Sequence, residues 1–254
     1  MPKTKNPLLK KSGPSTNMIL SIVVVVGAIL IVGAILLFTA NQKGDEQAGG
    51  GAPAPGADVS NIVAHPDSNK LLEAPDGKVT VSEFLDFQCS ACWTYYSAVN
   101  QQIEKEYAGR ITFVNRNYPI PKMHPLAESA AKAAEAAAAQ GKYKEMYHAL
   151  YDNYPAWAVS PDGQTVSDDE DRAGKLFTQF AQQNGLDVNK FKADAESPAI
   201  AERIKKDQAD GDQAGVEGTP SYFINGQKWE ASNAQNYGDV LQQLRERLDQ
   251  ELAK

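Results

Sequence analysis

The spacing of apolar positions changes several times along the chain, and each change marks an element. Met18 to Phe38 is a mostly aliphatic run of twenty-one residues, MILSIVVVVGAILIVGAILLF, within a charge-free window from Ser12 to Gln42. At about 1.5 Å per residue it is long enough to span a hydrocarbon core of roughly 30 Å. A cleaved signal peptide would have an apolar stretch of about 7–15 residues ending in a small-x-small site. This run is longer and is poorly followed by such a site, so it predicts an uncleaved transmembrane helix at 18–38.

Asn41 to about Ser60 is dominated by Gly, Ala and Pro and holds no apolar residue larger than a single valine. Such a segment has too little apolar surface to offset its ordering entropy and predicts a flexible tether, bounded at 39–61. Residues 62–254 remain, enough for one well-packed domain.

Within that domain Lys78 to Phe87 (KVTVSEFLDF) is β-branched and aromatic and follows the turn signal Pro75-Asp76-Gly77. Alternate strand side chains share a face, which aligns Val79, Val81, Glu83, Leu85 and Phe87 and puts a carboxylate in an apolar row. From Ser90 to Tyr107 the period becomes helical, with Trp93, Tyr96, Val99, Asn100, Ile103 and Tyr107 on one stripe, before strand character resumes at Ile111 to Val114. Strand, helix and strand in about forty residues predict a right-handed parallel βαβ unit.

A helical block follows, at about 120–214. Pro125–Gln140 is alanine-rich. Lys142–Asn153 carries a stripe of Tyr143, Met146, Tyr147, Leu150 and Tyr151. Ser167 and Glu170 predict a capping box for a helix that turns Ala173, Leu176, Phe177, Phe180 and Ala181 inward. Shorter helices are predicted near 188–196 and 199–210. Pro220–Asn225 is then a strand, Asn225-Gly226 a two-residue hairpin turn into Gln227–Glu230, and the chain ends in an amphipathic helix with Tyr237, Val240, Leu241, Leu244 and Leu248. The fold class is α/β.

Charge gives the chain a direction. Lys3, Lys5, Lys10 and Lys11 precede the apolar run, with no acid beside them. They predict a cytoplasmic N-terminus at 1–17 and an extracytoplasmic domain, in a single-pass protein of the cell membrane. Beyond the anchor 21 basic residues face 32 acidic ones. That balance argues against nucleic-acid binding.

The candidate chemistry is Cys89-Ser90-Ala91-Cys92, which holds the only two cysteines of the chain and sits where the first strand turns into its helix. A helix N-terminus offers free N–H groups and partial positive charge, which stabilise a thiolate on Cys89. Cys92, one turn in, closes the intramolecular disulfide that releases a mixed disulfide. Glu83 is placed to relay the proton of the buried thiol. A tetrahedral metal site would need more ligands from His65, His124 and His148; the first lies near the tether, the second suits a helix cap and the third falls off its apolar stripe, so no metal is expected. A bridge closing so short a loop would stabilise little. Trp93, Tyr95, Tyr96 and Trp157 are read as core in preference to a groove.

VSEFLDFQCSAC at 81–92, GVEGTPSYFING at 215–226 and YPIPKMHPLAESAAKAAEAAAAQGKYKEMYHAL at 118–150 resemble the DsbA-like branch of the thioredoxin superfamily, in particular its membrane-tethered bacterial members. The resemblance covers about residues 70–250. It implies a thioredoxin fold with an inserted helical domain, preceded here by the single N-terminal transmembrane helix. It also implies catalysis by Cys89 and Cys92 as a redox-active disulfide without further cofactor, and an acid at Glu83. The same resemblance makes Pro220 a cis-proline and Thr219 the preceding residue that faces the cysteines and pairs with substrate. Reduced exported proteins as substrates, a membrane quinone-linked partner that reoxidises the pair and a monomeric state complete the expectation. Strongly oxidising members often carry Pro-His between the cysteines. Ser90-Ala91 stands there in this chain, which predicts a less depressed Cys89 and a milder oxidant. A reductase or isomerase of the same fold, or a non-catalytic chaperone or metal-delivery module, are the alternatives.

Overall fold

The computed structural model describes residues Val59–Lys254. The predicted cytoplasmic segment, the transmembrane helix and most of the tether fall outside the described residues. Among the described residues no helix is long and apolar enough to cross a membrane. The last tether positions are already structured: Val59 is buried and donates its N–H to Gly226 O at 3.0 Å, and Ser60–Val63 forms a short helix, α1.

A five-stranded mixed sheet organises the domain, in the order β1-β3-β2-β4-β5. Its strands are β1 (Asn69–Leu72), β2 (Thr80–Leu85), β3 (Thr112–Asn117), β4 (Ser221–Ile224) and β5 (Gln227–Trp229). Strands β2 and β3 run parallel, as the βαβ reading requires, with Thr80 opposite Thr112 and Leu85 opposite Asn117. β1 adds antiparallel to β3, and β4 adds antiparallel to β2 with Glu83 opposite Tyr222. Asn225 (φ 49) and Gly226 (φ 75) both take the left-handed conformation that a tight two-residue hairpin needs.

β2 is central and buried on both faces. Val81 and Leu85 point into the main core with Val79 and Phe87, and Glu83 shares that face. Phe84 points the other way, into a second cluster with Val59, Val63, Ala214, Val216 and Phe223. β3 runs further than its apolar residues predicted, because its polar end finds partners: Arg116 Nε donates to Asp207 Oδ1 at 2.8 Å and the Asn117 N–H donates to Asp207 Oδ2 at 3.0 Å. β1 has no counterpart in the sequence reading, since four residues between prolines carry little periodicity.

The helix after the cysteines is not uniform. It comprises α2 (Ser90–Tyr95), a π turn (Tyr96–Asn100) and α3 (Gln101–Glu106), where the period predicted one continuous helix. The insertion comprises α4 (Ala127–Ala138), α5 (Tyr143–Asp152), the short α6 (Tyr154–Trp157), α7 (Glu170–Gln183), α8 (Val188–Ala195) and α9 (Pro198–Ala214). Alanines let α4 sit at the centre of this block, packed on α5, α7, α8 and α9. α9 lies against the sheet so closely that a Cβ on Gly211 would come within 2.8 Å of the Tyr118 ring and 3.1 Å of Phe84. α10 (Tyr237–Leu252) closes the domain with Val240, Leu241, Leu244 and Leu248 inward.

The expected capping box is replaced. Asp169 is the N-cap of α7, its carboxylate accepting from the Arg172 N–H at 2.9 Å, while Ser167 Oγ accepts from the Asp169 N–H and from Arg172 Nη2. An acid one residue from the first turn meets the free N–H groups and the helix dipole together, which a more distant serine cannot do.

Candidate active site

Strand β2 carries the chain through Asp86, Phe87 and Gln88 into Cys89, the N-cap of α2. The Cys89 N–H donates to Asp86 O at 3.1 Å, and Trp93 N–H donates to Cys89 O at 3.1 Å, so the first cysteine closes one turn and opens the next. Cys89 retains 8 % of its surface and Cys92 none. The predicted attacking thiol is thus exposed only at its edge. Both cysteines are free thiols.

Their ionisation is split. The Cys92 thiol hydrogen-bonds to Cys89 and, against the opposing effect of burial, with the Cys92 and Ala91 N–H groups and the Thr219 hydroxyl, lowers Cys89 to about 6. Burial pushes Cys92 well above the usual thiol range, helped by its bond to Cys89 and by the charges of Cys89 and Glu83. One thiolate is favoured, on the outer sulfur.

Thr219 and Pro220 face this pair from the loop before β4. The Thr219–Pro220 peptide bond is cis, and Cys89 Sγ lies 3.5 Å from Thr219 O. The Thr219 hydroxyl is buried without a hydrogen-bond partner among the described residues, and it stands near enough to Cys89 to favour the thiolate. Beside Pro220 a cleft of about 480 Å³ is lined by Tyr95, Tyr222, Trp229, Ala234 and Val240. Of the four aromatics read as core, Tyr96 and Trp157 are buried, whereas Trp93 and Tyr95 keep partial exposure and Tyr95 borders this cleft. Trp93 stacks on Tyr154 at 4.8 Å and 7°. A roomier hollow of about 680 Å³, between α4, α7 and α8, holds none of the predicted site residues.

Glu83 is wholly enclosed, 1 % exposed. Asn100 Nδ2 donates to Glu83 Oε2 at 3.0 Å, and the Tyr222 hydroxyl lies 2.9 Å from Glu83 Oε1. Burial raises its carboxyl to about 8 against those two bonds, and the charges of Glu104 and Cys89 add to the rise. The structure therefore brings Glu83, Cys89, Cys92, Thr219 and Pro220 to one place.

Several residues at the site were given no part in its chemistry by the sequence reading. Gln88, wholly buried, donates from Nε2 to Ala158 O and Ser167 O and accepts from the Leu126 N–H at 2.6 Å, while its main-chain carbonyl accepts from Tyr154 Oη at 2.7 Å. It ties the active-site turn to three segments of the insertion. His124 is not a helix cap: Nδ1 meets Asp86 Oδ2 at 2.7 Å, a contact that raises its pKa, and α4 begins three residues later. His148 is not free in solvent. Its ring meets Tyr96 Oη at 3.0 Å and Glu104 at 3.3 Å. Asn100 had one legible signal, a polar side chain on an otherwise apolar stripe. Among the described residues no cluster of three or more His, Cys, Asp or Glu side chains could hold a metal ion.

A family model described as thioredoxin matches residues 71–243. Among solved structures, a thioredoxin-like oxidoreductase from Silicibacter pomeroyi DSS-3 is 25% identical with a TM-score of 0.58, over 78% of this chain and 99% of that one. BdbD from Bacillus subtilis in its oxidised form has a TM-score of 0.61 at 19% identity, over 80% of this chain and 100% of its own. Wolbachia pipientis alpha-DsbA1 has a TM-score of 0.59 at 16% identity, over 78% and 96%. At those identities the last two show a shared fold. Among curated proteins, Na(+)/H(+) antiporter NhaA 3 of Salinispora tropica is 31% identical over 167 residues, 66% of this chain and 23% of the antiporter. NhaA 1 of Mycolicibacterium gilvum is 28% identical over 174 residues, 66% of this chain and 26% of its own. The chain spans about a quarter of the length of the curated relatives it matches.

Proposed function

The chain belongs to the thioredoxin family, with the fold of the DsbA-type proteins, and from that footing we propose that it is an extracytoplasmic protein disulfide oxidoreductase that introduces disulfides into exported proteins. The observation that carries this reading is the split between the two sulfurs, Cys89 lowered to about 6 and Cys92 buried and raised. A thiolate stabilised on Cys89 makes the dithiol form favourable relative to the disulfide, so the disulfide tends to accept electrons. A client thiolate attacks Cys89 Sγ, the Cys89–Cys92 bond breaks, and the electron pair leaves on Cys92 Sγ, where Glu83 supplies the proton. A second client thiol then attacks the mixed disulfide and leaves Cys89 as the stabilised thiolate.

The cleft beside Pro220 supports binding of an extended client segment along Thr219, in a strand-addition mode that tolerates varied sequences. The pair itself is the redox group, with no further cofactor. The apolar run at 18–38 and its flanking lysines support anchoring in the cell membrane with the catalytic domain outside. A quinone-linked membrane protein would then reoxidise Cys89 and Cys92, and the enzyme would act as a monomer.

Equilibrating the pair against glutathione tests the direction. A potential well above that of thioredoxins, about −270 mV, is expected. A value at or below that figure would sink the oxidase reading in favour of a reductase.

A further inference from the structure

We propose that His124 is the proton acceptor coupled to the outer sulfur. Its Nε2 takes up a proton as Cys89 becomes a thiolate and gives it back when the Cys89–Cys92 disulfide re-forms, and Asp86 is the positioning residue that holds the ring for this exchange. The inference deepens the proposed function and rests on its reading of Cys89 as the sulfur that clients reach. It follows from a proton count.

A client dithiol brings two protons. As it reduces the Cys89–Cys92 disulfide, one S–S bond breaks in the enzyme and one forms in the client, two electrons pass to the enzyme, and both thiol protons of the client are released. One of them is taken up at Cys92, whose thiol is buried and raised well above the usual range. Cys89, lowered to about 6, stays a thiolate at neutral pH and takes none. Each turnover therefore leaves one proton over and creates one anion at the outer sulfur. A neutral base beside that sulfur can hold the surplus proton and offset the new charge together.

His124 has the geometry of such a base. Asp86 is buried and fixed by main-chain donors: Oδ1 accepts from the Gln88 N–H at 2.8 Å and Oδ2 from the Ile120 N–H at 2.9 Å. Oδ2 also lies 2.7 Å from His124 Nδ1, and the proton between them belongs on the imidazole, the stronger base. That bond settles the tautomer and leaves Nε2 as the nitrogen that gains or loses a proton. Nε2 has no hydrogen-bond partner among the described residues and is not shut away from solvent, since the side chain keeps 11 % of its surface. The main-chain carbonyl of the same Asp86 accepts from the Cys89 N–H at 3.1 Å, so one residue carries both the thiol turn and the imidazole.

The surrounding charges favour the coupling. The bond to Asp86 raises His124 against the effect of burial, and the charge of Cys89 adds to the rise. The cysteines are free thiols in this structure, so that last contribution belongs to the dithiol form, and closing the disulfide removes it. The other titratable groups facing the outer sulfur do not compete for the proton. Cys92 on α2 and Glu83 on β2 are enclosed, and Glu83 serves Cys92 in the proposed sequence of steps. Tyr154 of α6 is a phenol that already holds its proton, pushed up by burial and by the charges of Cys89, Asp86 and Cys92.

The test follows the imidazole signals of the full-length chain by NMR, in its disulfide and its dithiol forms, from about pH 5 to about pH 9. The His124 midpoint should be higher in the dithiol form by about half a unit or more, about a threefold gain in proton affinity. His124→Asn keeps an amide N–H for Asp86 and cannot titrate. It should remove that signal and, because the coupling is reciprocal, raise the midpoint of Cys89 thiolate absorbance by a similar amount. A His124 midpoint that is equal in the two forms overturns the inference, as does a Cys89 midpoint that stays in place in the folded variant. If the variant fails to fold, the unmodified chain still decides: no imidazole midpoint that differs between its two forms overturns the inference equally. Neither readout depends on the potential of the pair, so the direction of exchange stands or falls separately, on the glutathione equilibrium.

Discussion

Cys89 Sγ lies 3.5 Å from the main-chain carbonyl of Thr219, across the gap between the start of α2 and the loop that leads into β4. The contact joins the two halves of the thioredoxin fold at the outer sulfur of the pair. It also presents the Thr219 hydroxyl to that sulfur, where it helps hold the thiolate.

Replacing Thr219 by Val keeps the shape and removes the hydroxyl. Cys89, now lowered to about 6, should rise by up to about one unit, because hydrogen bonds to a charged group are stronger than bonds to a neutral one. Thiolate absorbance followed against pH measures it. An unchanged midpoint would show that the hydroxyl does not reach the sulfur.

Glu83 gives the domain a pH signature of its own. Its carboxyl is raised from 4.5 to about 8 on folding. Below the unfolded value both states hold the proton and the group is neutral to stability. As pH rises from about 4.5 to about 8 the unfolded chain releases a proton that the folded chain keeps, so stability falls across that window and levels off above it. Glu83→Gln abolishes the slope, and its amide N–H occupies the place of the acid O–H. The variant should be more stable than the wild type by up to about 3 kcal/mol at neutral pH, with little difference in acid. Denaturant unfolding at several pH values reads this directly, and a destabilised Gln variant would mean that the folded site prefers the anion.

Gln88 should be costly to lose although it takes no part in the electron transfer. Gln88→Leu leaves the Leu126 N–H and the Ser167 carbonyl buried without their partner, at about 1–3 kcal/mol for each group. A loss of about 2–6 kcal/mol in equilibrium unfolding is expected. A loss below about 1 kcal/mol would mean that the active-site turn and the insertion are not coupled through this amide.

These partners also mark where the sequence stops being informative. The order of strands and helices was legible because it depends on local spacing, as were the hairpin at Asn225-Gly226 and the cysteines at the strand-to-helix turn. Glu83 was legible as a carboxylate in an apolar row. Tyr222 was not, because its meaning comes from pairing opposite Glu83 across 139 positions of chain. Gln88 and His124 were opaque for the same reason: each bonds a segment brought near only by the insertion. The π turn also escaped a reading that assumed one helical period. Local pattern thus carried the candidate reacting atoms, and tertiary packing determined what surrounds them.

Cys92→Ala tests the division of labour between the sulfurs. Cys89 remains able to attack a client disulfide, forming one Cys89–S–S–client bond and expelling the other client sulfur as a thiolate. In the unaltered protein Cys92 Sγ would attack Cys89 Sγ, expel the client thiolate and restore the intramolecular disulfide. With that sulfur gone the mixed species should accumulate, visible as higher-mass bands on non-reducing gels that dithiothreitol collapses. Cys89→Ala should give none, since Cys92 is wholly buried and raised well above the usual thiol range, and is therefore a poor nucleophile. Equal trapping by the two variants would mean that the outer and inner sulfurs have been assigned the wrong way round or share the role.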